Sequence, residues 1–266
     1  MRIIFFGNNR AGWKVLEWLR REGEEIAALV VHPDERRAYG EEILRASGAG
    51  QDRVFLGNDL GAGAIERIRA LRPEIGISVY FGYILGPELL SALPRGCVNL
   101  HPALLPYNRG AHPNVWSIVE GTPAGVTLHR VDEGVDTGEI LAQREVEIDP
   151  ADTGQTLYYR LEAAAIELFQ RNWGALKAGR LPGIAQAPGG GTFHRARDLA
   201  QLERIDLERR YRARDLINLL RARTFPPHGG AYFEENGRRI HLRLELTEAN
   251  ASGADLPHKE ADVIQV

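Results

Sequence analysis

An α/β fold built on a doubly wound, mostly parallel sheet, with a smaller C-terminal α+β region behind it, is what this sequence predicts. Three observations carry that reading. Short apolar runs alternate with stretches whose apolar residues recur at helical spacing, the pattern of strands joined by crossover helices. At 266 residues the chain exceeds the roughly 250 that one core usually supports, so a second, smaller unit is expected. A Pro- and Gly-rich segment, residues 181–192 with Gly189-Gly190-Gly191, marks the division. The expected organisation is a first unit over 1–180, a linker over 181–192, a small unit with a helix and a β-hairpin over 193–248, and a flexible tail over 249–266.

The elements run in order along the chain. Ile3 to Phe6 is apolar and ends at Gly7, and Trp13, Leu16 and Leu19 then share one helical face, which reads as strand, turn and helix. Ile26 to Val31 is a second buried strand, stopped by His32-Pro33-Asp34; Ala64 to Leu71 is an amphipathic helix and Ile75 to Tyr80 another apolar strand. Leu89 to Leu93 is a short helix, and Gly96 to His101 is a strand ended by Pro102. Residues 102–124 form a long Pro- and Gly-bearing loop around one helix, Asn114 to Val119. Ala124 to Val131 and Glu139 to Ile148 read as the two arms of a hairpin. Thr156 to Lys177, opened by Asp152-Thr153, places Leu157, Leu161, Ala165 and Leu168 on one helical face. In the small unit, Ala213 to Arg223 is a helix, and the chain from Ala231 turns at Asn236-Gly237 as a hairpin.

Composition excludes several classes. A formal net charge of −3 gives no basic surplus for phosphate neutralisation, so nucleic acid is disfavoured as a partner. Cys97 is the only cysteine, which rules out an internal disulfide and fits a reducing, cytoplasmic setting. The N-terminal apolar run is too short for a signal peptide, and no run approaches the 18 or so apolar residues of a membrane span. A soluble protein is expected.

In a doubly wound sheet, ligands bind outside the carboxyl ends of the strands. Asn99 and His101 lie two apart at such an end, and the two-residue period of a strand puts both on one face, ready to address one atom. A turn, Asp132-Glu-Gly-Val-Asp136-Thr-Gly138, lies downstream. A carboxylate there would fix the His101 tautomer and steady its charged form. Both Asp132 and Asp136 occupy positions where Asp also satisfies backbone donors, so the residues alone leave that choice open. Cys97 shares the strand face of His101 but lies about 13 Å away, beyond the reach of a thiol and its base. The eight histidines show no zinc-ligand spacing, so no metal is expected. Gly7-Asn-Asn-Arg-Ala-Gly12 lacks the G-x-G-x-x-G pattern, which removes support for a dinucleotide.

The segment Asn99-Leu-His101-Pro-Ala-Leu-Leu-Pro106-Tyr-Asn-Arg-Gly110, with Asp136-Thr-Gly138 downstream, resembles the folate-dependent formyltransferases, and the resemblance extends from residue 1 to about 178. It implies a Rossmann-like core and a catalytic set of Asn99, His101 and Asp136. It also implies N10-formyltetrahydrofolate as co-substrate. Its pterin would lie against Phe81, Gly82, Tyr83, Ile84 and Leu85, with Leu90 and Cys97 lining the pocket and the stretch from Val131 through Val135 to Asp136 closing it.

Acyl transfer to an uncharged amine puts negative charge on the formyl oxygen. The resemblance implies Asn99 as a donor to that oxygen, His101 as second donor or proton shuttle, and Asp136 as the group orienting His101. The acceptor is inferred from the chain beyond the core. The methionyl-tRNA branch is similar at Arg221-Ala-Arg-Thr-Phe-Pro-Pro, but carries a larger C-terminal barrel and a basic insert after the second strand. Here residues 33–40 hold Glu35, Arg36 and Arg37 instead of a lysine-rich loop. The sugar-nucleotide branch joins this core to a small C-terminal piece, so an amino-sugar nucleotide is the leading acceptor and tRNA the alternative. Asn8, Tyr107, Arg109 and His112 are the acceptor-side candidates, and a homodimer through the C-terminal part is implied. A catalytically silent folate-binding protein is the reading from another class.

Overall fold

The computed structural model describes residues 1–187 and 189–248. The tail expected over 249–266 lies outside the described residues.

The first unit runs β1 (Arg2–Gly7), α1 (Asn9–Arg21), β2 (Glu25–Val31), α2 (Gly40–Ser47), β3 (Val54–Leu56), α3 (Ala62–Ala70), β4 (Ile75–Val79), α4 (Pro87–Leu90) and β5 (Cys97–His101). It continues through β6 (Arg109–Gly110), α5 (Pro113–Glu120), β7 (Gly125–Arg130), β8 (Ile140–Glu145) and α6 (Gly154–Lys177). Seven strands form one sheet in the order β3-β2-β1-β4-β5-β7-β8, parallel through β5 and antiparallel over β7 and β8. The order reverses between β1 and β4, which both pair with their neighbours in parallel. That is the switch point where such sheets open a crevice.

β1 shows why the sheet is buried on both sides. Ile3 and Phe5 point into one apolar cluster with α1 and α6, while Ile4 and Phe6 point into the other with α3 and α4. Both faces covered is what turns alternation into a continuous apolar run. Each of these fully buried side chains contributes about 1.5–3 kcal/mol by leaving water. α6 starts where Thr153 caps it, its side chain accepting from the Thr156 N–H. It buries Leu157, Leu161, Leu168, Phe169 and Trp173 over the sheet. Sequence reading did not resolve α2 and β3, because eight and three residues are too few to display a period.

Beyond α6 come β9 (Phe193–His194), α7 (Ala213–Arg223) and the hairpin β10 (Ala231–Glu235) and β11 (Arg238–Leu242). The hairpin turns through Asn236 and Gly237, both left-handed at φ 51° and 72°, as a two-residue turn of this type requires. α7 docks on the first unit through Arg221, whose buried guanidinium donates to the carbonyls of Asp149, Pro150 and Asp152 at 3.0–3.1 Å. The approach is close: a Cβ on Gly154 would lie 2.1 Å from the Ala222 carbonyl oxygen. Strand β9 pairs in parallel with β6, so the chain returns to the loop beyond β5.

Candidate active site

A cavity of about 520 Å³ opens at the carboxyl ends of β4 and β5. Three adjacent strands carry one polar side chain each at matching register. Ser78 on β4 is opposite Asn99 on β5, and Asn99 is opposite His129 on β7. Ser78 Oγ donates to Asn99 Oδ1 at 2.8 Å, which turns the amide so that its Nδ2 faces the cavity side. That Nδ2 lies 3.1 Å from His129 Nε2 and donates to Asp136 Oδ1 at 3.3 Å.

The turn after β7 resolves the choice between its two aspartates. Asp132 Oδ1 accepts from the Gly134 N–H and the Thr137 hydroxyl, at 3.1 and 2.7 Å, and so closes the turn on itself. Asp136, with a left-handed φ of 55°, points its carboxylate inward instead. Its Oδ2 accepts from the Gly110 N–H at 2.8 Å and stands 3.6 Å from His101 Nδ1. Asn99, His101 and Asp136 are therefore brought together.

Protonation is set by the partners. His101 Nε2 is 3.1 Å from the carbonyl oxygen of Asn108, which can only accept, so Nε2 carries the proton and Nδ1 is the free lone pair. By the same rule His129 keeps its proton on Nδ1, 2.8 Å from the Arg130 carbonyl. Burial pushes the His101 imidazole below its ordinary 6.5, and Asp136 opposes that push without cancelling it. Burial also acts to raise Asp136. The positive charge His101 carries once protonated, then the contact with His129 and the Gly110 N–H, outweigh it and hold the carboxyl well below the usual carboxylate range. The site is a neutral base facing a firm anion.

Phe81, Gly82, Tyr83, Ile84, Leu85, Val131 and Val135 line the cavity. The Gly82 N–H donates to His32 Nε2 at 3.1 Å, and the His32 ring meets Phe81 and Tyr83 edge-on, which holds that strip in place. Ile84, 77% exposed, stands on the rim. Leu90 and Cys97 do not line the cavity: Cys97 is buried and both pack in the apolar cluster around Ile4 and Phe6. A Cβ on Gly76 would lie 2.7 Å from Cys97 Sγ, and burial alone pushes the thiol far up, so it stays protonated packing.

The acceptor-side residues divide. His112 lines the cavity, where burial and then nearby Arg223 push its imidazole down. Asn8 does not: its amide accepts from the Ala38 N–H at 2.8 Å and donates to the Arg36 carbonyl at 3.3 Å, clipping the loop after β2. Tyr107 also stands outside, and Arg109 is held by Gln186, with Nε and Nη2 at 3.2 and 2.7 Å from its Oε1. Tyr80, Tyr158, Phe193, His194 and Arg195 take their places on the wall. The Tyr80 hydroxyl is buried with no partner in the described structure, and burial keeps it neutral. Sequence reading missed these, along with His129 and Asn108. Only the antiparallel register of β7 reveals His129, and only the β6–β9 pairing brings in residues 193–195.

The other place in this fold suited to an anion is filled from within. At the start of α1, Glu162 of α6 accepts from the Ala11 N–H at 3.1 Å and from Arg10 Nη1 at 2.8 Å. Among the described residues no group of His, Cys, Asp and Glu is placed to hold a metal ion, and no helix is long and apolar enough to cross a membrane.

Residues 1–172 match the formyl transferase family, and residues 198–248 match the N-formyltransferase dimerization C-terminal domain. A methionyl-tRNA formyltransferase of Anaeromyxobacter dehalogenans is 32% identical over 99% of this chain and 85% of its own length. A likely sugar N-formyltransferase from Mycobacterium tuberculosis is similar in structure with a TM-score of 0.75, at 27% identity over 93% of this chain and 98% of the other. The formyltransferase PseJ from Anoxybacillus kamchatkensis, solved with UDP-4,6-dideoxy-4-formamido-L-AltNAc and tetrahydrofolate, gives 0.57 at 29% identity over 76% and 89%. With its core matched from residue 1 to residue 172, within α6, the chain belongs to the formyl transferase family.

Proposed function

We propose that this protein transfers a formyl group from N10-formyltetrahydrofolate to the primary amine of a nucleotide-linked amino sugar. The observation that carries the reading is the convergence of Asn99, His101 and Asp136 beside an apolar strip at the strand ends. PseJ, bound to tetrahydrofolate and a formamido sugar nucleotide, supports both substrates.

The folate supplies an electrophilic carbon whose oxygen gains charge as the amine adds. Asn99 Nδ2, aimed by Ser78, donates to that oxygen in place of one of its present acceptors, His129 Nε2 or Asp136 Oδ1. His101 Nδ1 takes the proton the amine loses on forming the new C–N bond, and returns it to N10 as the old bond breaks. Asp136 steadies the transient imidazolium. Phe81 to Leu85, Val131 and Val135 hold the flat ring, and His112, Tyr80, Tyr158 and Phe193 form the acceptor wall.

The likeness to a likely sugar N-formyltransferase from Mycobacterium tuberculosis, at 27% identity over 98% of that chain, supports the sugar acceptor. The net charge of −3 points the same way. Methionyl-tRNA is the second reading, favoured by the 32% identity of that curated relative. Residues 198–248 support a homodimer. The deciding experiment is tetrahydrofolate release from N10-formyltetrahydrofolate with a panel of amino-sugar nucleotides and with charged initiator tRNA. Turnover is expected with a sugar nucleotide. Turnover with tRNA alone replaces the acceptor, and turnover with neither sinks the reading.

A further inference from the structure

Gln186 lies in the segment that joins the two units, fifty residues beyond the turn it touches, and its side chain is fully used. Nε2 donates to the carbonyls of Asp136 and Gly138 at 2.9 and 2.8 Å. Oε1 accepts from Arg109 Nε and Nη2 at 3.2 and 2.7 Å. Arg109 is followed by Gly110, whose N–H donates to the Asp136 carboxylate. The amide thus closes a ring: the Asp136 backbone to Gln186, Gln186 to Arg109, and the next residue back to the Asp136 side chain. The segment is itself anchored on either side of Gln186. Ile184 exchanges two backbone hydrogen bonds of 2.9 Å with Ile140, and the Thr192 carbonyl accepts from the Arg109 N–H at 3.0 Å.

Asp136 needs such support. Its left-handed backbone is disfavoured for a residue with a Cβ, and the turn relaxes unless its surroundings over-determine it. Asp132 closes only the near side of the turn, through Gly134 and Thr137.

We infer that Gln186 is a positioning residue of the active site, holding the Asp136 turn against the Arg109 loop so that the carboxylate stays aimed at His101 and Asn99. The inference rests on the formyl-transfer reading for its kinetic consequence but not for its structural one. A small unit joined by this segment would then be coupled to the chemistry through the connection itself.

The test uses the full chain with histidine labelled for NMR, in wild type, Gln186→Ala and the nearly isosteric Gln186→Glu. The latter turns an oxygen toward both turn carbonyls. The His101 titration midpoint is expected to fall in both variants, because a displaced Asp136 no longer raises it, and this readout needs no substrate. With the acceptor that the wild type turns over, kcat is expected to drop about tenfold or more while KM for folate and acceptor stays within about threefold. Adding either substitution to Asp136→Asn is expected to cause little further loss. An unmoved His101 midpoint in Gln186→Glu overturns the inference. So does a loss confined to KM, or failure of both variants to fold, which would make Gln186 a folding residue. Absence of any wild-type turnover sinks the formyl-transfer reading and leaves the NMR arm to decide this one.

Discussion

Two places in this sheet are built to receive charge, and they are used in opposite ways. At the start of α1, where related sheets offer helix N–H groups to a phosphate, the buried carboxylate of Glu162 already occupies the position, paired with Arg10. At the end of β5, Asn99, His101 and Asp136 face an open cavity with a free imidazole nitrogen. One end satisfies its charge internally and serves stability. The other keeps an imidazole lone pair available beside the cavity, where the proposed chemistry would use it. The same topology thus supports a binding fold or a proton-transfer fold, depending on whether a neighbouring helix on the same face of the sheet plugs the helix start.

That contrast can be broken from either side. His101→Ala removes the proposed base and is expected to lower kcat by about 100- to 10,000-fold, measured by single-turnover formyl transfer with the accepted amine. A loss below about tenfold would place the base elsewhere. Asn99→Ala removes one donor to the developing oxyanion, for an expected loss of about 100- to 1000-fold with folate binding by fluorescence titration little changed. Glu162→Ala acts on the other end. Leaving the Ala11 N–H and Arg10 without their partner is expected to cost about 1–3 kcal/mol in urea unfolding, with kcat within a few-fold of wild type. Equal stability would mean that the plug does nothing.

Much of this was legible in the residues. The alternation of apolar runs and helical stripes located the sheet, and the two-residue period paired Asn99 with His101. What escaped was whatever depends on register or on contacts far apart in sequence. His129 joins Asn99 only because β7 runs antiparallel with that offset. Asn108, fully buried, reads as a loop residue until its side chain is seen donating to Ser117 and Thr122 while its carbonyl holds His101. Arg109 looked free for an acceptor because its partner, Gln186, comes from the far side of α6. Cys97 sat on the right face but too deep, under α4 rather than on the cavity wall. Asp136 was separated from Asp132 by family resemblance alone, since both are turn formers. Only the hydrogen bonds from Gly134 and Thr137 show which one the turn uses for itself.

The proposed catalysis turns on His101 acting as a neutral base in the field of Asp136. The most direct measurement is the pH dependence of kcat/KM in wild type and in Asp136→Asn with the same acceptor, whose own ionisation is common to both and cancels. His101 is lowered from 6.5 by burial while Asp136 pulls it partly back, so the acid limb is expected below 6.5 in wild type. Loss of Asp136 is expected to move it lower still, together with a fall in rate. An acid limb that stays put, or moves up, when Asp136 is neutralised would contradict the facing of these two groups and the mechanism built on it.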